Sequence, residues 1–204
     1  MFNTLKNKSL LFNPSSIVVA FLLPTIILVR LPGIMIDGFI LLSFISSALL
    51  LIIMLENTEP LKVTFLPTMV LLTTTFRLLL TIATTRNIIG NSDVGNIIET
   101  VGDFVMGGNL ISGLLIFIII TIVQFLVVTK GSERVAEVGA RFSLDAMPGR
   151  QMTIDGDLKS NLITPEQAQK MRADLSTENK LFGSLDGAMK FVKGDAIAGI
   201  LISL

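Results

Sequence analysis

Leu110-Ile111-Ser112-Gly113-Leu114-Leu115-Ile116-Phe117-Ile118-Ile119-Ile120-Thr121-Ile122-Val123-Gln124-Phe125-Leu126-Val127-Val128-Thr129 decides what kind of protein this is. The run has no charged residue and one polar amide, Gln124. As a helix rising about 1.5 Å per residue, it reaches across a hydrocarbon core about 30 Å thick. At Lys130 the composition changes abruptly. Ten of the 16 Lys and Arg residues and nine of the 16 Asp and Glu lie between Lys130 and Lys193. The chain ahead of Lys130 is therefore nearly bare of charge, as a lipid-embedded region must be.

Three further apolar stretches precede this one. A first span, about 15–31, is short and interrupted by Pro24, which membrane helices tolerate when neighbours satisfy the freed carbonyl. Pro32-Gly33 makes a turn into a second span, about 34–55, which ends in the polar Glu56-Asn57-Thr58-Glu59-Pro60. The third, about 65–85, carries Arg77 in its interior, and the fourth is 110–129. The N-terminal Met1-Phe2-Asn3-Thr4-Leu5-Lys6-Asn7-Lys8 could open a signal peptide. Further spans follow and no small-residue cleavage pattern ends the run, so an uncleaved first span is the better reading.

Cations set the direction of insertion. Lys6 and Lys8 precede the first span and the cation-rich segment follows the fourth, so four crossings put residues 1–14 and 130–194 together on the cytoplasmic side. The loop after the third span holds Asp93, Glu99 and Asp103, with Arg86 at its start, which suits the outer face. Within it Val94, Ile97, Ile98, Val101 and Phe104 recur at helical spacing before Gly107-Gly108. That spacing predicts an amphipathic helix over 93–107, lying on the membrane surface, against other subunits, or simply as a packed loop helix.

In 130–194, Ser132 is placed to cap a helix through Phe142, and Asp145-Ala146-Met147-Pro148-Gly149-Arg150 reads as a breaking turn. Thr164-Pro165-Glu166-Gln167 is a strong helix start, with Thr as cap, Pro first and Gln at the capping-box position. That helix should run to about Leu175, and another should begin near Leu185. Within 195–204, the final apolar run, 196–204, covers only about 14 Å as a helix and cannot span. It reads either as an incomplete fifth hydrophobic helix in a truncated chain, which is preferred, or as a re-entrant segment. The fold class expected is an all-α integral membrane protein with at least four transmembrane helices, a small helical cytoplasmic segment and the start of a fifth helix.

Composition agrees. The 204 residues are 51% hydrophobic and 16% charged, with mean hydropathy +0.75, where a soluble domain carries about a quarter charged residues. A formal net charge of zero gives no argument for nucleic acid. Cys, His, Trp and Tyr are absent, which excludes disulfides, Cys/His zinc sites and catalytic Cys or His, so a side-chain proton carrier near neutral pH must be a carboxylate. No phosphate loop, nucleophile elbow or kinase motif occurs, so nothing supports an enzyme or implies a cofactor.

Arg77 draws attention on energetic grounds, because a charge near mid-membrane costs roughly 2.5–3.5 kcal/mol on insertion scales and usually faces protein or a wet cavity. It is either functional or a structural clamp on another helix. Asp37, near the end of the second span, reads as reaching interfacial water. Asp195 opens the last apolar run behind Lys190 and Lys193. By spacing alone an interfacial helix cap ranks ahead of a proton acceptor there. Asp155-Gly156-Asp157 resembles half of a calcium loop, but the closing glutamate is missing.

Longer patterns go further. Thr75-Phe76-Arg77-Leu78, Ala83-Thr84-Thr85-Arg86, Lys130-Gly131-Ser132-Glu133-Arg134-Val135-Ala136-Glu137 and Arg141-Phe142-Ser143-Leu144-Asp145-Ala146-Met147-Pro148-Gly149-Arg150-Gln151-Met152 occur in order. They are followed by Ile154-Asp155-Gly156-Asp157-Leu158 and Asp186-Gly187-Ala188-Met189-Lys190-Phe191-Val192-Lys193-Gly194-Asp195-Ala196-Ile197-Ala198-Gly199. Together they resemble the FHIPEP family, the large export-gate protein of bacterial type III secretion systems and flagella, from about residue 15 onward; the wording is closer to the injectisome branch. The resemblance implies a multi-pass protein of the bacterial inner membrane that forms a homo-oligomeric ring, nonameric in the family, and helps couple the proton-motive force to protein export. It implies other export-apparatus membrane proteins as partners. The secretion ATPase complex and chaperone–substrate complexes would bind through a C-terminal domain lying beyond this stretch. By the same resemblance Asp195 and Lys190 match positions used in proton-coupled export, and Arg77 and Arg86 match charged positions of the third span. Asp145, Asp155 and Asp157 fit the family pattern as either ion-responsive or structural residues. The resemblance moves Asp195 from cap to functional candidate. A structural ring or scaffold that docks other components without carrying ions is the alternative.

Overall fold

A computed structural model describes residues 30–57, 60–90 and 93–203, and these form helices joined by short connections, with no strand among them. The expected first span lies almost wholly outside the described residues. Helix α1 (Gly33–Glu56) and helix α2 (Leu66–Ile89) are antiparallel, joined through a short 3₁₀ turn at Pro60–Val63. Helix α3 (Asn96–Met106) is the amphipathic piece, and helix α4 (Leu110–Gln124) is the apolar run that decided the fold class. Among the described residues three helices are long and apolar enough to cross a membrane: α1, α2, and the continuous helical stretch Leu110–Lys159 that α4 begins. No residue of the most apolar windows of α1 and of that stretch is buried, whereas α2 is partly enclosed through Leu79, Leu80 and Ala83. Side chains such as Phe44, Leu49, Ile119 and Val123 are left facing outward, as lipid or protein contact requires.

The helix of the fourth span does not end at Thr129. Its helix widens into a π-helical segment over Phe125–Ser132 and continues directly as α5 (Glu133–Lys159). Ser132 is therefore not a cap: its residue has helical dihedrals and its hydroxyl donates to the Val128 carbonyl. Gly131 alone is a weak break, and Lys130 reaches back over the Phe125 ring, 5.6 Å from its centroid.

The expected turn at Asp145–Arg150 is absent as well, since α5 runs through Pro148. A proline inside a helix costs about 3 kcal/mol or more by losing a hydrogen bond and crowding the preceding turn. Packing offsets that cost here. Ile154 of α5 forms a small core with Ala168 and Leu175 of helix α6 (Pro165–Ser203), backed by Met147, Leu158 and Ile163. Arg150 adds a two-pronged bond to Glu178 at 2.9 and 3.0 Å. The α5–α6 hairpin closes through Asn161, in the left-handed region at φ 55°, and through the capping box: Thr164 N–H donates to Gln167 Oε1 (2.8 Å) and Gln167 N–H to Thr164 Oγ1 (3.2 Å).

Helix α6 is one 39-residue rod where two helices and a separate apolar run were expected. Its buried residues explain why it does not stop at Leu175. Ala168 and Leu175 are seven residues apart, and after one six-residue step Leu181, Ala188 and Asp195 again follow at seven, along one side, which faces first α5 and then α2. The terminal apolar residues run back beside the α4 stretch, where Ile197, Ile200 and Leu201 share an apolar cleft of about 420 Å³ with Thr121, Ile122, Phe125 and Leu126.

An intramembrane ion pair and its cleft

Asp195 occupies the next place in the stripe after Leu181 and Ala188, a position that packing would give to an apolar or small residue. Its side chain is 4% exposed, and its Oδ2 accepts from Nη2 of Arg77. Arg77 is the middle of α2 along the chain, with 11 of the helix's 24 residues before it. Isolated, either charge would be costly at that depth; together each supplies the other's counter-ion. Phe76, the neighbour of Arg77, meets Phe39 of α1 edge to face at 5.8 Å, which fixes the rotation of α2 and so the side from which Arg77 leaves it.

The pair is not sealed. Half of the Arg77 side chain remains exposed, and an open cleft of about 280 Å³ lies beside it, lined by residues of three helices. Arg77 and Thr81 come from α2, Asp195, Gly199 and Ile200 from α6, and Phe117, Ile120, Thr121 and Gln124 from α4. The four α4 positions follow helical spacing, so one face of an otherwise aliphatic helix presents a hydroxyl and an amide to the ion pair. Thr81 Oγ1 donates to the Arg77 carbonyl at 2.9 Å and keeps acceptor capacity toward the cleft. Gln124 was visible in the sequence as the one amide of its span; its place beside Arg77 was not. The signal that would have flagged it is the i, i+3 pairing of Thr121 and Gln124 on a helix of isoleucines.

The other candidates sit elsewhere. Lys190 bonds Asp186 one turn back at 2.8 Å, and that hydrogen bond, with the charges of Asp186, Glu137 and Glu133, holds its ammonium above the ordinary lysine range. Lys193 pairs with Glu133 at 2.8 Å, tying α6 to the start of α5 just short of Asp195. Asp155 pairs with Arg172 across the α5–α6 hairpin. Asp145 is exposed and Asp157 half-buried, both on α5. The helix turns Asp155 and Asp157 to different sides, so the pair is not a calcium loop. Arg86 lies in the last turn of α2, roughly 14 Å along the axis from Arg77. Of the seven candidates, only Arg77 and Asp195 are brought together.

A second polar cluster holds the C-terminal end of α2. Asp37 does not simply reach water: its carboxylate accepts from the backbone N–H groups of Asn96 and Ile97 at 2.9 and 3.0 Å, capping α3 from another helix. Asn87, 3% exposed, donates to the carbonyls of Leu31 and Asp93 at 2.7 and 3.2 Å. Gly95 makes this closure possible. Its φ is +88°, and a Cβ there would lie 2.3 Å from Asp37 Oδ1 and 2.8 Å from the Gly33 carbonyl oxygen.

The FHIPEP family model matches residues 23–204. The chain belongs to the FHIPEP family. It is 56% identical over 172 residues to the hypersensitivity response secretion protein HrpI of Pseudomonas syringae pv. syringae, covering 84% of this chain and 25% of that protein. The low calcium response locus protein D of Yersinia pestis is 55% identical over 84% of this chain and 24% of its own length. The secretion system apparatus protein SsaV of Salmonella typhimurium is 50% identical over 87% of this chain and 26% of its own. The chain thus spans about a quarter of the length of the curated relatives it matches. No solved structure matches significantly.

Proposed function

We propose that this chain is the membrane portion of an export gate in a bacterial type III secretion system, and that the Arg77–Asp195 pair couples ion movement, most simply of protons, to protein export. The observation that carries the coupling is a carboxylate in a helix-packing stripe, enclosed on all sides except toward a half-exposed arginine and an open cleft. Protonation of Asp195 would remove the attraction that draws α6 onto α2 at this depth. Because α6 continues without a break to the α5–α6 hairpin, a shift at Asp195 would be felt at its far end. The family's members named above as secretion proteins support the assignment to export; the inner membrane, the homo-oligomeric ring and the partners follow from the same assignment. Lys190, Arg86, Asp145, Asp155 and Asp157 have no part in the pair, and on this reading they act in the cytoplasmic or loop regions.

A structural reading has its own observation: the pair bridges α2 and α6, as a clamp would. One experiment separates the two. Asp195→Asn in the full-length protein should abolish secretion while the protein still assembles in the membrane. Normal secretion by that variant would end the coupling proposal, and loss of assembly would favour the clamp.

A further inference from the structure

If Asp195 takes up a proton, Arg77 loses its anion but keeps its own charge, at a depth where an unpartnered guanidinium is costly. The groups around it determine where it goes. From α2 itself the cleft receives Thr81, and from α6 Gly199 and Ile200, neither with a polar side chain. The next charged groups along α6, Lys193 and Lys190, are engaged with Glu133 and Asp186. From α4 come Thr121 and Gln124. Among the described residues no hydrogen-bond partner holds the Gln124 amide, although it sits on the cleft and is the one amide of a mostly aliphatic helix. An amide carbonyl is a good acceptor for guanidinium, and it is neutral, so it competes poorly while Asp195 is charged and wins when Asp195 is not.

We infer that Gln124 is the alternate acceptor that receives the Arg77 guanidinium when Asp195 is protonated, making it a positioning residue for the coupling step. The inference rests on the coupling role of Arg77 and Asp195 proposed above. Gln124 would then set how readily the pair opens. Without it the charged pair is favoured and more protons are needed; with a carboxylate in its place Arg77 is drawn away and fewer are needed.

The test is the dependence of secretion on external pH, in cells carrying the full-length protein with Gln124→Met or Gln124→Glu. Methionine is unbranched and near in volume, so it removes the acceptor with little disturbance of packing. Gln124→Met should move the half-maximal point to more acidic pH by about one unit, the equivalent of a tenfold change in the opening equilibrium, and Gln124→Glu should move it the opposite way. Opposite displacements are not expected of a residue that only packs. Unshifted profiles for both variants, with Asp195→Asn inactive, would overturn the role of Gln124 and leave the coupling proposal standing. Normal secretion by Asp195→Asn would overturn both. Failure of both Gln124 variants to accumulate, when Asp195→Asn accumulates normally, would assign the amide to folding and also reject the inference.

Discussion

The two polar clusters on α2 hold their groups in opposite ways. At the α3 end, Asn87 and Asp37 are bonded to backbone: two carbonyls for one, two N–H groups for the other. These partners carry no charge that a proton can remove, because a peptide group does not titrate. In the middle of α2, Arg77 and Asp195 are bonded to each other across two helices, and the bond depends on a charge that one proton removes. The first arrangement is suited to fixing a fold, the second to changing one. A position that a small or apolar residue could fill more cheaply is occupied by a carboxylate, an arrangement that stability alone does not favour.

The contrast can be broken most forcefully at Arg77. Arg77→Met leaves Asp195 enclosed without its cation, and it should lower stability by about 3 kcal/mol, whereas the double variant Arg77→Met/Asp195→Asn should recover much of that loss. Thermal unfolding of the purified proteins in detergent would show it, and an additive double variant would mean that the two side chains do not interact. At the other cluster, Asn87→Leu removes both hydrogen bonds of a buried amide and should cost about 2 kcal/mol in the same measurement, with no change in the pH profile of secretion. Asp37→Ala should cost about 1 kcal/mol and speed hydrogen exchange at the Asn96 and Ile97 amides specifically. If either of these two variants shifted the pH profile, the division between fixing and switching clusters would fail. The smallest effect is expected at Lys190. Its protonated form is favoured in the folded state, so its contribution is complete below the ordinary lysine range and is lost only as pH rises through the raised value. The pair is exposed to solvent, so Lys190→Met should have only a small effect even at neutral pH, where the contribution is whole, and its difference from the parent should vanish under strongly alkaline conditions.

Helix α5 shows where local rules were overruled. Pro148-Gly149 reads as a turn by every short-range criterion, yet the helix continues because Met147, Ile154 and Leu158 pack on α6 and Arg150 reaches Glu178. The hydrophobic period across residues 135–158 was interrupted too often to reveal that partner. By contrast, the Thr164–Gln167 capping box involves four consecutive residues, and it forms as its pattern dictates.

By itself the sequence determined the membrane class, the apolar lengths of α1, α2 and α4, the amphipathic α3, the start of α6 and the family. Each of these depends on composition or on spacing within a few turns, where side-chain period and capping chemistry act locally. It also marked Arg77 and Asp195 one at a time, since a charge in apolar surroundings is costly whatever it meets. Only the tertiary structure decided that they meet, across 118 residues, that Gln124 stands beside them, and that Lys190 and the three aspartates of α5 do not. Pairing at that separation depends on the rotation and height of packed helices, and no periodicity along the chain records it.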